Sequence, residues 1–368
     1  MRGYLLIMLV AAAVAYLMTP MVRRLAERKL VFAPLRDRDV HKVPTPRLGG
    51  VAMLCGVLVA FAVASQMPFL QPIFSDSNLV LGVLGAAVLL CVLGVVDDIW
   101  DLNWITKLAG QVLAAGFMAI NGVSLVSLPV NGLFIASSRT SMFLTIFVVV
   151  LTINAINFVD GLDGLAAGVV AIGGSAFFLY TYYLAIDANQ NTYANLASLI
   201  IASLVGACIG FLPHNFNPAH IFMGDSGSML IGLLLAGSAI RVTGQVDPAL
   251  ISQERVIPTF LPVLLPVAVL ILPLTDLALA VIRRLRAGKS PFSADAKHLH
   301  HRMLGLGHTH ARAVLIMYLW VAIVAFGCVA FLMVSWRIVV PLSLGLAIIT
   351  LVLTFSPLRR KLRQHQES

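Results

Sequence analysis

Apolar residues in this chain fall into long unbroken runs. They show neither the single apolar stripe of a soluble amphipathic helix nor the alternation of a half-buried strand. The runs cover roughly 3–22, 48–65, 79–96, 106–121, 141–158, 165–185, 193–212, 226–241, 258–282, 313–334 and 337–356. Each approaches the ~20 residues that an α-helix needs to cross hydrocarbon. A bilayer tolerates neither open sheet edges nor lipid-exposed loops, so the runs predict helices. The expected fold is all-α, a polytopic integral membrane protein with about eleven transmembrane helices. The first run, Tyr4 to Val22, ends in Arg23 and Arg24 and is followed by many more. It therefore reads as a span rather than a signal peptide. No repeat or soluble domain interrupts the pattern. Residues 1–368 read as one transmembrane domain with polar loops at 23–47, 97–107, 157–165, 213–226 and 283–312.

Composition agrees with a membrane solvent. Hydrophobic residues make up 60% of the chain and charged residues 11%, with a mean hydropathy of +0.95, whereas a soluble domain carries about 25% charged residues. The four cysteines, Cys55, Cys91, Cys208 and Cys328, are scattered through apolar runs without metal-ligand spacing, which suits packing. The net charge of +9 does not imply nucleic acid, because of where the charges lie. With sides assigned alternately, 20 basic residues fall on one side of the membrane, against Arg2, Arg139, Arg241, Arg255 and Arg337 on the other. The positive-inside rule makes the richer side cytoplasmic, with the N-terminus outside and the C-terminus inside. Most of these charges serve topology and anionic-lipid contact.

The acids are few, and they gather. Of 16 Asp and Glu residues, Asp97 and Asp98 close the third run, Asp160 and Asp163 follow the fifth in NAINFVDGLDG, and Asp225 precedes the eighth in FMGDSG. All five fall on the basic side, and carboxylates at a membrane edge are costly enough to mark a functional site. The adjacent Asp97 and Asp98 repel each other unless a cation or proton intervenes, for which Lys107 is a candidate. Asn154 and Asn157, three apart, are neighbours on one helix face, and Gly161 and Gly164 allow a tight turn. Such a surface fits a nucleotide. Read as an oxygen ligand beside a helix N-terminus, Asp225 suits Mg²⁺, with free N–H groups facing phosphate oxygens. Phe222 offers a ring for stacking. Arg283, Arg284 and Arg286 precede His298, His300 and His301, a combination suited to a diphosphate. Lys42 and Arg47, in HKVPTPRLGG, can meet a phosphate at the membrane surface. Zinc is disfavoured, since no cysteine is near.

Together HKVPTPRLGG, the Asp97/Asp98 pair with Lys107 ten residues on, NAINFVDGLDGL, FMGDSGS and SPFSADAKHLHHR resemble, in order, the polyprenyl-phosphate N-acetylhexosamine-1-phosphate transferase superfamily, glycosyltransferase family 4. The HLHHR form is similar to the group that uses UDP-GlcNAc. A run of three histidines is typical of the group that uses UDP-MurNAc-pentapeptide. The resemblance implies Mg²⁺, with Mn²⁺ as a substitute, held by Asp225 with Asn157 close by. It places Asp97 and Asp98 near the attacking lipid phosphate and Lys107 on the diphosphate. Asn157, Asp160, Asp163 and Phe222 line the nucleotide-sugar pocket, Arg284, His298, His300 and His301 cover the diphosphate and sugar, and Lys42 serves the lipid phosphate.

The implied activity is transfer of GlcNAc-1-phosphate from UDP-GlcNAc to a polyprenyl phosphate, undecaprenyl or decaprenyl, with release of UMP. It belongs to a bacterial plasma membrane, with the active site facing the cytoplasm, as the first membrane step of envelope-glycan assembly. The partners are the nucleotide sugar, the lipid and the membrane, with no nucleic acid; a homodimer is left open. Two rivals remain: the sister phospho-MurNAc-pentapeptide transferase, and a secondary transporter. A transporter places its acids near the bilayer midplane, often in inverted repeats, which this acid distribution does not match.

Overall fold

A computed structural model of the chain describes residues 1–32, 44–129, 133–135, 137–187, 193–243, 271–286, 288 and 303–366. Its elements are α1 (Arg2–Arg28), α2 (Gly49–Ser65), α3 (Gln71–Phe74), α4 (Ser77–Trp100), α5 (Trp104–Ile120), β1 (Ser127–Pro129), β2 (Leu133–Ile135), α6 (Ser138–Val159), α7 (Leu165–Asp187), α8 (Tyr193–Asn215), α9 (Gly224–Thr243), α10 (Ile271–Arg286), α11 (His310–Met333) and α12 (Trp336–Gln366). Among the described residues, eight helices are long and apolar enough to cross a membrane: α1, α4, α6, α7, α8, α9, α11 and α12. The apolar α2 and α5 are shorter. The protein is therefore a polytopic helical membrane protein. The run at 258–282 is described only over α10, and each of the other expected spans coincides with a helix.

Three local differences have physical causes. Helix α1 runs to Arg28 instead of ending at 22, and the Arg23–Glu27 pair, 2.8 Å apart at i,i+4 spacing, supports the added turn. The segment 121–140, expected as loop, contains the short antiparallel β1–β2 ladder within an otherwise helical fold. Helix α9 begins at Gly224, which places Asp225 inside its first turn rather than ahead of it.

Helix α9 is the axis of the bundle. Every residue from Ser226 to Thr243 is buried, and α2, α4, α6 and α8 surround it. A helix buried all round needs no polar face. Small residues let its neighbours approach to backbone contact. A Cβ on Gly94 of α4 would lie 2.3 Å from the Ser226 backbone, and one on Gly50 of α2 would lie 2.2 Å from the Gly227 nitrogen. Around this axis α1 packs on α2 and α8, α7 on α8 and α11, and α12 on α11.

The alternating helix directions bring the polar ends together. The chain entering α2 pairs with the chain entering α9: Gly49 and Gly50 donate to the carbonyls of Phe222 and Met223 at 3.1 and 3.0 Å, and the Phe222 N–H donates to Pro46 at 2.8 Å. The acidic ends of α4, α6 and α9 meet beside this seam.

Candidate active site

The turn from α4 to α5 sets the first part of the site. Asp101 ends α4 with φ +50°, a left-handed conformation that aspartate tolerates better than most residues. Asn103 then caps α5, its side-chain oxygen accepting from Ile105 at 2.6 Å and Thr106 at 3.3 Å. So short a turn returns Lys107, one turn into α5, to the end of α4. Its ammonium lies 2.6 Å from Asp97 and 3.1 Å from Asp225. Asp97 also accepts the Leu102 N–H at 2.8 Å. One cation thus bridges two carboxylates from different helices.

The N-terminus of α9 forms the second part. Gly224 adopts φ +72°, open to glycine at little cost. A Cβ there would also strike the Asp98 carboxylate at 2.3 Å. Asp98 accepts the N–H groups of Asp225 at 3.0 Å and Ser226 at 3.3 Å, and its side chain is 1% exposed. The α9 amides expected to be free for phosphate are therefore capped from within. An N-terminal helix amide in an apolar bundle takes the nearest anion. Arg47 stands 3.9 Å from the same carboxylate.

The end of α6 supplies the third part. Asn157 donates to Asp225 at 2.8 Å and to the Ser228 hydroxyl at 3.0 Å. Its sequence neighbour on the helix face, Asn154, turns away to Gln111 of α5 at 2.8 Å. Beyond the helix, burial pushes the Asp160 carboxyl up to about 7; the nearby carboxylates of Asp225 and Asp98 raise it further and Arg47 opposes them. Asp163 is buried and clamped, accepting from the Asn217 side chain at 2.9 Å and the Ala219 N–H at 3.1 Å. Arg284, at the end of α10, is buried with its guanidinium 5.4 Å over the Phe158 ring, beside Asn157 in sequence.

The structure thus gathers Asp97, Asp98, Lys107, Asn157 and Asp225 into one contact network, places Asp160 within electrostatic reach, and brings Arg284 to the α6 end. Phe222 enters through its backbone, in the seam with Pro46 and Gly49. Lys42, His298, His300 and His301 lie outside the described residues. Two residues that the sequence reading passed over hold the 160–164 loop from α11. The Asp163 N–H donates to His310 Nε2 at 3.0 Å, and the Tyr318 hydroxyl donates to the Gly164 carbonyl. A histidine at the mouth of an apolar run, HTHARAVL, was the available signal.

Asp225, Asp97 and the Ser228 hydroxyl offer oxygens beside the Lys107 ammonium and the Asn157 amide, and oxygen ligands suit a hard cation. Among the described residues no three His, Cys, Asp or Glu side chains converge to enclose a metal. Mg²⁺ is commonly held by one or two carboxylates together with substrate phosphates and water.

The glycosyl transferase family 4 model matches residues 80–243, which run from the first turn of α4 to the end of α9. The decaprenyl-phosphate N-acetylglucosaminephosphotransferase of Mycobacterium leprae is 43% identical over 98% of this chain and 92% of its own length. A Bacillus subtilis protein named "Probable undecaprenyl-phosphate N-acetylglucosaminyl 1-phosphate transferase" is 32% identical over 84% of this chain and 80% of its own. The phospho-N-acetylmuramoyl-pentapeptide-transferase of Desulforudis audaxviator is 30% identical over 82% of this chain and 91% of its own.

Proposed function

The chain belongs to glycosyl transferase family 4, and from that premise we propose that it transfers GlcNAc-1-phosphate from UDP-GlcNAc to a polyprenyl phosphate at the cytoplasmic face of a bacterial membrane. The observation that carries the reading is the Lys107 bridge between Asp97 and Asp225, two carboxylates sharing one cation at the membrane edge. Phosphoryl transfer needs alignment and charge neutralisation more than covalent help from the protein. UDP-GlcNAc is favoured over UDP-MurNAc-pentapeptide because the relative named for N-acetylglucosamine matches at 43% over 98% of the chain, against 30% over 82% for the pentapeptide enzyme. A decaprenyl acceptor is favoured on the same ground.

In this reading an oxygen of the lipid phosphate attacks the β-phosphorus of UDP-GlcNAc. The new P–O bond forms as the bond from that phosphorus to the bridging oxygen breaks, and UMP leaves with the electron pair. A phosphomonoester loses its second proton near pH 6, so the acceptor arrives largely as a dianion and needs no strong base. Asp97 orients the acceptor, Lys107 and Arg284 offset the charge of the diphosphate, and Asn157 holds the Asp225 side chain. Asp225 and Asn157 would hold Mg²⁺, which neutralises diphosphate charge when bound. The excess of basic residues at this end supports the cytoplasmic orientation.

The test is UMP release by the purified chain given Mg²⁺, decaprenyl phosphate and either nucleotide sugar. Release with UDP-GlcNAc alone is expected, and its absence overturns the reading. Trapping a phosphorylated Asp225 in the absence of lipid acceptor would replace direct attack with a covalent route.

A further inference from the structure

An open cavity of about 380 Å³ lies between the basic end of α1 and the end of α8, lined by Tyr16, Thr19, Pro20, Arg23, Pro213, His214 and His220. Its construction begins with Pro20, which has no N–H to give the Tyr16 carbonyl one turn back. His214 Nε2 takes that carbonyl at 3.1 Å, and since a carbonyl only accepts, this nitrogen carries a proton. The imidazole also lies against the Tyr16 ring, centroids 4.8 Å apart. Arg23 spends Nε on Glu27 at 2.8 Å, which leaves both terminal nitrogens of the guanidinium to a ligand. His220 is exposed at the rim.

We propose that this cavity binds the phosphodiester headgroup of an anionic bilayer phospholipid and that occupancy tightens the nucleotide-sugar site. The polar groups left to a ligand are those that bind a phosphate ester: the Arg23 guanidinium, the His220 imidazole and the Tyr16 phenol, with His214 oriented by its own bond to the Tyr16 carbonyl. The bilayer is the source because the adjoining surface of α1 exposes Leu17, Met21 and Leu25, along which acyl chains can lie. In the proposed function the reaction's own acceptor sits at the Asp97–Lys107 centre, which leaves this cavity to another phospholipid. The link to the active site is the segment 213–221. Its His214 and His220 line the cavity and are joined by a backbone hydrogen bond of 2.9 Å. Asn215, next in the chain, accepts the Gly164 N–H at 3.1 Å and donates to the Ile221 carbonyl at 3.0 Å, and Asn217 and Ala219 clamp Asp163. Fixing one side of this segment fixes the loop 160–164 on the other.

The activity arm rests on the function proposed above; the binding arm does not. The full chain in nanodiscs of phosphatidylcholine, with and without phosphatidylglycerol, is released for native mass spectrometry and assayed for UMP release. Retained phosphatidylglycerol and a roughly fivefold lower KM for UDP-GlcNAc are expected, a coupling at the lower end of the usual range. The doubly substituted Arg23→Gln/His220→Gln chain should lose both while keeping its activity in phosphatidylcholine. Equal retention by the two chains, or equal activation, overturns the site. Complete displacement of the lipid by millimolar inorganic phosphate would make it a free-phosphate site, and loss of retained decaprenyl phosphate in the variant would make it an acceptor site; either result overturns the lipid assignment. Retention without UMP release in any lipid would sink the proposed function and leave the site standing.

Discussion

The carboxylate of Asp98 accepts the backbone N–H of Asp225 at 3.0 Å, so one acid of the adjacent pair holds in place the helix turn that carries the other key acid. Asp97, one residue earlier, faces Lys107 instead. The two should respond differently to substitution. Asp98→Ala removes the cap of α9, which typically costs ~1 kcal/mol or somewhat more, and should lower the unfolding temperature in detergent together with activity. Asp97→Asn should abolish most UMP release with little change in unfolding temperature. Thermal scans of the two variants beside the activity assay separate the roles; equal melting shifts would remove the distinction.

Lys107 lies between Asp97 and Asp225, so its removal leaves two carboxylates facing each other without a counter-charge. Lys107→Met should therefore destabilise the protein, and adding Asp97→Asn should relieve much of that loss. A double-mutant cycle on unfolding free energy should give a coupling of ~1–3 kcal/mol, as for other contacting charged groups. Additive effects would mean that the bridge does not hold in solution.

The architecture and the gathering of the acids were legible because both follow from one-dimensional signals. Bilayer thickness sets the run length, and carboxylates avoid hydrocarbon, so Asp97, Asp98, Asp160, Asp163 and Asp225 had to collect at helix ends. Which partner each acid takes was not legible. That Asp98 would cap α9, that Asn154 would leave Asn157 for Gln111, and that Asp163 would be clamped by the 217–219 segment depend on helices far apart in sequence meeting at one height and rotation. Spacing along a single helix carries no such information. The strand pair at 127–129 and 133–135 was missed because three-residue strands leave too short a pattern to read.

Helix contact around α9 rests on missing side-chain atoms. Because a Cβ on Gly94 would meet Ser226 backbone rather than a mobile side chain, Gly94→Ala should push α4 from α9 at the level of the active site. A loss of ~1–3 kcal/mol is expected from overpacking. Gly345→Ala on α12 meets nothing within 4 Å and serves as the control. It should be neutral or stabilise by up to ~1 kcal/mol through helix propensity. Yield and unfolding temperature of the two variants, measured in the same detergent, decide the point.

Asp160 offers a pH signature. Its folded-state carboxyl titrates at about 7 against an ordinary value of 3.8, so the folded protein holds a proton that the unfolded chain has lost between these values. Stability from this group is thus fully present below about 4, falls as pH rises toward 7, and is flat above. In Asp160→Asn the slope of unfolding temperature against pH, measured with EDTA between pH 5 and 8, should flatten. An unchanged slope would assign the titration to another group.

The loop 160–164 is held from α11 by two side chains eight residues apart, His310 on the Asp163 N–H and Tyr318 on the Gly164 carbonyl. Eight residues are close to two helical turns, so both project from one face of α11. Gly168 leaves the room that the Tyr318 ring occupies, since a Cβ there would overlap its hydroxyl. Neither residue belongs to the carboxylate centre, so their loss should loosen the loop without altering the charge that drives transfer. Tyr318→Phe and His310→Gln each remove about one neutral hydrogen bond, worth ~1 kcal/mol, or roughly a fivefold rise in KM for UDP-GlcNAc. With kcat nearly unchanged and the KM for the lipid acceptor unmoved, the split would identify them as positioning residues. A fall in kcat at unchanged KM would instead place α11 in the transfer step itself.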